Sequence, residues 1–339
     1  MATTQHDRFI TVAHGNGGRL MRELIEQVFA PHLGNPELDT NADAVPLPVL
    51  PADGELLITT DGFTVEPLEF PGGDIGSLAV HGTVNDLAVS GATPLYMTLN
   101  AFIEEGMSLA TLERLVRSMG EACRESAVRV VAGDTKVVGR GQGGGLYLAT
   151  TGVGLRPHGV LLGLNQIRPG DRILVSGPVG DHGTAVLLAR EQFGLSGELT
   201  SDAASVLPIT RTLLGCPGLR FMRDPTRGGI ATVAHEIARS AQALVRLWSE
   251  RIPVRPAVRA VCDMLGYDPC YLACEGRVAA VFAPDRIDAA QAALRRLGHT
   301  HAAVIGEILP GRAHVVLQTP LGGERILEEL EDDPLPRIC

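Results

Sequence analysis

Aromatic side chains are scarce in this chain, at 4% of residues. A core of any size therefore has to be built from Val, Leu, Ile and Ala. No stretch is long and apolar enough to span a membrane. The N-terminus, MATTQHDRFI, has no basic start followed by an apolar run, so the sequence predicts a cytoplasmic protein rather than an exported one. None of the six cysteines (Cys123, Cys216, Cys262, Cys270, Cys274 and Cys339) belongs to a CxxC pair. Free thiols are expected in a reducing compartment. Cys270 and Cys274 have the spacing of one helical face but lack the second ligand pair of a zinc site. Basic residues are in deficit, with 29 Lys and Arg against 39 Asp and Glu and a formal charge of -10. That argues against nucleic-acid binding, which needs clustered basic residues. It leaves open a nucleotide held by a few aimed groups and a metal. No internal repeat, low-complexity tract, Walker motif or strand-led GxGxxG is present.

What is there suits a two-domain enzyme. A chain of 339 residues, 45% apolar, exceeds what one core usually organises. Helical spacing appears in SLATLERLVRSMGEAC (Leu112, Leu115, Val116, Met119, Cys123) and in GGIATVAHEIARS (Ile230, Val233, Ala234, Ile237, Ala238). It also appears in DIGSLAVHGTVNDLAVSG, where Val80, Val84, Leu87 and Gly91 make a stripe with Asn85 and Asp86 beside it. β-Branched runs predict strands over 55–60, 94–102, 128–133, 145–154, 171–177, 277–282 and 314–319. Their alternation with helices gives an α/β (α+β) class. The stretch 156–171 reads as a crossing, which sets domains at 1–156 and 157–330. The tail 331–339 is acidic, then proline-bearing, and ends in Cys339.

Five aspartates stand at junctions beside small residues: Asp43, Asp61, Asp86, Asp134 and Asp224. Asp61 and Asp134 are expected just past strand ends, where open sheets place ligands. Singly, each reads as a turn residue or helix cap. Gathered, they would repel unless a cation such as Mg²⁺ neutralised them. The loops HGNGG (14–18) and DPTRGG (224–229) set glycines before helices, whose N-termini favour anions. Arg227 reads either as a phosphate grip or as a surface ion-pair partner. Lys136, two residues past Asp134, reads as a solvated loop residue or a cation aimed into a cleft. Glu275, before Gly276, reads as a turn residue or a general base. Spacing does not choose between these. Cys339, at the chain end, has no packing role.

The run TTDGFTVEPLEFPGGDIGSLAVHGTVNDLAVSGATP, with VVAGDTKVV, SGPVGDHGTA, RDPTRGGIATV, CEGR and the final LPRIC, resembles the HypE family of hydrogenase maturation proteins. The resemblance extends from about His14 to Cys339. It implies a PurM-like fold of two domains, akin to aminoimidazole ribonucleotide synthetase and selenophosphate synthetase, with the N-terminal sheet pairing across a homodimer. It implies that a HypF-type carbamoyltransferase loads a carbamoyl group onto Cys339. ATP, with Mg²⁺, then drives dehydration to a thiocyanate, and the cyanide passes to iron on a HypC–HypD scaffold. By motif match, Lys136 and Glu275 fall on the proton-handling pair. His14, Gly15 and Gly17 fall on a nucleotide-covering segment. Asp61, Asp74, Asn85, Asp86, Asp134, Thr135 and Arg227 fall on nucleotide-facing positions, and Asp43, Asp61, Asp86, Asp134 and Asp224 on metal-facing ones. Two positions depart from the pattern: Cys274 stands where Asn is expected, and Gly62 where a hydroxyl residue is usual. Two rivals remain, a selenophosphate-synthetase-like enzyme and a non-catalytic scaffold presenting Cys339.

Overall fold

The computed structural model describes residues 9–15, 19–38, 54–190 and 198–330. Gly17, Asp43 and Cys339 lie outside them.

The first half opens with a helical stretch, α1 (Arg19–Leu24) and α2 (Ala30–Leu33), joined through a π-helical turn at Ile25–Phe29. It continues through β1 (Gly54–Phe63), the two-residue strands β2 (Glu69–Phe70) and β3 (Gly73–Asp74), α3 (Ile75–Val89), β4 (Thr93–Glu104), α4 (Leu109–Glu125), β5 (Arg129–Val138) and β6 (Leu146–Pro157). The long strands form one sheet in the order β1-β6-β4-β5. Only β4 and β5 pair in parallel within it, and α4 supplies their crossover.

The helix α3 is buried on every side: 13 of its 15 residues are out of solvent. A helix apolar all round belongs in the middle of a protein. The narrow stripe expected from Val80, Val84 and Leu87 is therefore only part of its buried surface. Asp74 caps it. Its carboxylate accepts the Ser77 N–H at 2.9 Å, and Ser77 Oγ lies 3.2 Å from the Asp74 N–H, a reciprocal capping box.

The sheet has two different faces. Phe63 turns inward toward α3, while Leu56 and Ile58 turn outward and are well exposed. On β5 the same alternation puts Thr135 inside and Asp134 and Lys136 outside. These residues are within the strand, not past its end. The expected boundary at Gly133 fails because a sheet face turned to water accepts alternating polar residues. Asp61 likewise stands inside β1 rather than after it.

The second half adds β7 (Arg172–Val175), α5 (Asp181–Ala189), α6 (Leu207–Leu214), β8 (Leu219–Arg223), α7 (Gly229–Ala241) and β9 (Leu244–Trp248). Then come α8 (Pro256–Leu265), β10 (Ala279–Phe282), α9 (Ile287–Arg296), β11 (Ala303–Leu309), β12 (His314–Gln318) and β13 (Glu324–Ile326). Its sheet runs β13-β12-β9-β11-β7-β10-β8. One apolar cluster continues from the first sheet and α3 into α5, α6 and α9, and a second lies around α7 and β9. The central helix α3 is thus shared by both halves. No helix among the described residues is long and apolar enough to cross a membrane.

Candidate active site

A cavity of about 630 Å³ opens where the two halves meet. Its walls come from β1, from α3, from the end of β8 and from the start of α7, and they include Asp61, Asp86, Asp224, Arg227, Thr232 and Glu275. The β-to-α connection after β8 places Asp224 at a strand end and Arg227 just before a helix. Gly228 and Gly229 make that turn with φ of 71° and 57°. At Gly229 a Cβ would lie 2.6 Å from the carbonyl oxygens of Cys270 and Leu272, so only glycine fits. Thr226 and Arg227 before α7 and Thr232, Val233 and Glu236 within it line the cavity, close to the helix's positive N-terminal end.

The site is rich in carboxylates and poor in compensating charge. Arg227 reaches across the two halves to Asp61, with Nη2 at 3.1 Å from Oδ1. Asp86 accepts the Thr59 hydroxyl at 2.8 Å. Burial pushes the Asp86 carboxyl up, and the Asp61 charge adds to that, against the Thr59 bond. Asp224 is pushed up to about 7 by burial and by the charge of Asp86. Burial, with Asp224, Asp202 and Asp61 nearby, drives Glu275 well above the usual carboxylate range. The cluster is therefore reluctant to carry its full negative charge.

Glu275 is fixed by its backbone. Asp202 accepts the N–H groups of Glu275 and Gly276 through its two oxygens, at 3.2 and 3.3 Å. Asn85 Nδ2 donates to the carbonyls of Glu275 and Ala204, both at 3.1 Å, and Asn85 Oδ1 accepts the Val206 N–H at 2.8 Å. Asn85, expected to face nucleotide, is instead 1% exposed and staples α3 to the Glu275 turn. Asp74, also expected at the nucleotide, is spent as the α3 cap. Asp202 carries no sequence signal, because no glycine or strand end marks the run SDAAS.

Other expected site residues stand apart from the cavity. Lys136 Nζ pairs with Asp134 Oδ2 at 3.2 Å on the outer sheet face. Thr135, between them, is buried in the first half. Side-chain alternation rules out placing Asp134 and Lys136 on the α3 side of their own sheet. Within one chain, Lys136 and Glu275 are not brought together. His14 lies in a 3₁₀ turn, Val12–Gly15, and its Nδ1 accepts the Thr11 N–H at 3.1 Å. Among the described residues, no three acidic, His or Cys side chains converge as a ready-made metal site.

The AIR synthase related protein N-terminal domain family matches residues 41–156, and the corresponding C-terminal domain family matches residues 168–318. Carbamoyl dehydratase HypE of Bradyrhizobium diazoefficiens is 45% identical over 335 residues, covering 97% of this chain and 96% of that protein. The chain belongs to the HypE family of carbamoyl dehydratases. A crystal structure of hydrogenase maturation protein HypE in complex with ATP superposes with a TM-score of 0.91 at 43% identity, covering 97% of this chain and 99% of that one. A chain from the crystal structure of a HypE–HypF complex superposes with a TM-score of 0.78 at 38% identity, covering 91% and 99%. Against the HypE pattern, Cys274 is fully buried and its sulfur accepts the Gly180 N–H at 3.2 Å. It is not among the residues lining the cavity. At Gly62 a Cβ would meet nothing within 4 Å, so the site has room for the hydroxyl residue usual there.

Proposed function

We infer that the protein is an ATP-dependent carbamoyl dehydratase acting on its own C-terminal residue. A carbamoyl group carried on Cys339 is converted to a thiocyanate, the source of a cyanide ligand for nickel–iron hydrogenase. The observation that carries this is Glu275: a carboxyl 3% exposed, backbone-locked, in the wall of a cavity that also offers a helix N-terminus and Arg227. A phosphate-binding scaffold has no use for a buried proton acceptor.

ATP supplies the phosphoryl group that turns the amide oxygen into a leaving group. The α7 N-terminus and Arg227 bind phosphate charge. Glu275 takes N–H protons from the tethered carbamoyl group. Mg²⁺ fits the donor set. Asp224 is raised to about 7 largely by burial beside Asp86, and a divalent cation offsets that repulsion. Asp61, Asp86 and Asp224 line one cavity without converging as a ready-made cluster; they would hold the ion together with the nucleotide, and it would supply charge neutralisation there.

The outer sheet face supports a homodimer. Leu56, Ile58, Phe102 and Tyr147 are exposed there, and Phe102 is in register with both Lys136 and Tyr147. Two chains pairing through this face would bring Asp134 and Lys136 of one to the cavity of the other. A HypF-type carbamoyltransferase is the loading partner, and a HypC–HypD complex the acceptor of the nitrile.

The test is intact mass. Carbamoylated protein given ATP should lose one water from its C-terminal peptide. Hydrolysis of ATP with the carbamoyl mass unchanged would favour the scaffold reading instead.

A further inference from the structure

The last described residues are pinned along α7. Leu327 is fully buried in the second core, and its N–H donates to the Val315 carbonyl at 3.0 Å. Its own carbonyl lies 2.9 Å from His235 Nε2, so that nitrogen carries the proton and donates. The Glu328 carbonyl accepts the Tyr271 hydroxyl at 2.7 Å. Glu329 pairs with Arg239 at 2.9 Å on the exposed side. Leu330 Cδ1 lies 3.5 Å from where a Cβ on Gly228 would stand. The segment's backbone therefore runs from the middle of α7 toward its N-terminal end, where Leu330 lies against Gly228, the chain neighbour of the cavity-lining Arg227.

We propose that Leu327–Leu330 is a fixed stem, held by His235 and Tyr271, that sets the point from which the Cys339 tail enters the cavity of its own chain. His235 and Tyr271 are thus positioning residues for the tethered substrate. The proposal rests on the dehydratase reading only for its catalytic consequence. Nine residues, 331–339, follow the stem, and fully extended they reach about 30 Å. That spans a cavity of this size without slack to spare for distant sites. The stem's bonds are to two backbone carbonyls, so they hold the chain path and not a particular side chain.

Loosening the stem beyond Leu327, which its burial and its bond to Val315 still hold, raises the number of residues between the anchor and the chain end from nine to twelve, 328–339. Effective concentration falls roughly as the −3/2 power of length, about 1.5-fold here, and the origin retreats by about 10 Å. Together they predict an about two- to threefold loss.

The test measures tail delivery apart from chemistry. In a Thr232→Cys chain, oxidised glutathione drives a disulfide between Cys339 and the thiol introduced at the cavity wall. Adding Tyr271→Phe with His235→Ala should slow that bond about two- to threefold, and His235→Gln, which keeps an N–H donor, should restore most of the rate. Thermal melting checks that the variants are folded. The same pair should slow water loss from carbamoylated protein. It should leave unchanged the reaction of a free S-carbamoyl peptide added to full-length Cys339→Ala protein. An unchanged disulfide rate, or a bond formed mainly between two chains, overturns the stem. Equal slowing of the tethered and free-peptide reactions also overturns it. If the disulfide slows but wild-type protein never loses water, the stem stands and the dehydratase reading fails.

Discussion

The carboxylate of Asp202 accepts the backbone N–H of Glu275 at 3.2 Å, and its second oxygen accepts that of Gly276 at 3.3 Å. Arg277 Nε stands 3.5 Å from the same carboxylate, so the pair of acceptors is held from behind by a guanidinium. Gly276 is required in this turn, since a Cβ there would lie 1.8 Å from the Asp202 carbonyl oxygen. Asp202→Asn keeps the volume but faces one N–H with an amide donor. A buried polar group left so costs about 1–3 kcal/mol. We expect the turn to loosen, kcat for water loss to fall about tenfold, and KM for ATP to stay unchanged. Equal changes in both constants would mean that Asp202 merely supports the fold.

Glu275→Gln removes the proton acceptor without changing shape. Water loss should fall at least about a hundredfold, the usual worth of a general base, while ATP binding by calorimetry persists. Stability should rise, because a carboxyl held well above its ordinary range by burial and by neighbouring carboxylates is replaced with a neutral amide. A variant that melts lower than wild type would contradict this assignment of charge strain.

Asp224 makes stability depend on pH. Its carboxyl titrates near 3.8 in the unfolded chain and at about 7 when folded, so between these values the folded state binds more protons. Stability then falls as pH rises from about 4 through about 7, by up to about 4 kcal/mol for the whole shift. Asp86 and Glu275, both raised, act in the same direction. Melting curves from about pH 5 to about pH 8 should show the decline in apo protein. Asp224→Asn should flatten it, and Mg²⁺ with a non-hydrolysable ATP analogue should oppose it.

Much of this site is legible in the sequence, and the exceptions have physical causes. Asp61, Asp86, Asp224, Arg227 and Glu275 line one cavity, as expected of them. The junction reading holds for Asp224 and Arg227 before α7, whereas Asp61 stands within β1 and Asp86 within α3, because a cavity-facing position in a strand or helix carries the same polar residue as a turn. Asn85 and Asp74 depart from their expected roles because a polar side chain on a buried helix has two uses, ligand contact and backbone satisfaction, and sequence does not separate them. Lys136 lies within a strand rather than after one, since a polar, exposed sheet face gives the same residue pattern as a loop. The strands β8, β9, β11 and β13 leave little trace in the sequence because they are short and carry arginine or glycine among their apolar residues.

Lys136 is the chain's single lysine among 29 Lys and Arg residues, and it stands on the face opposite to its expected partner. If the second copy supplies it, the two halves of the proton-handling pair can be separated onto different chains. Lys136→Ala and Glu275→Gln should each be inactive alone. Mixed and allowed to exchange subunits, about half of the dimers would be hybrid, and each hybrid would hold one intact site. Activity should return to about a quarter of wild type under random pairing. No recovery, in a mixture shown by mass to contain hybrids, would place the function of Lys136 within its own chain. Disrupting the face by Leu56→Asp should then be decisive from the other side. A charge on this exposed apolar surface should give monomers that keep ATP affinity within the cavity's own residues but lose dehydration with the Lys136→Ala variant's severity.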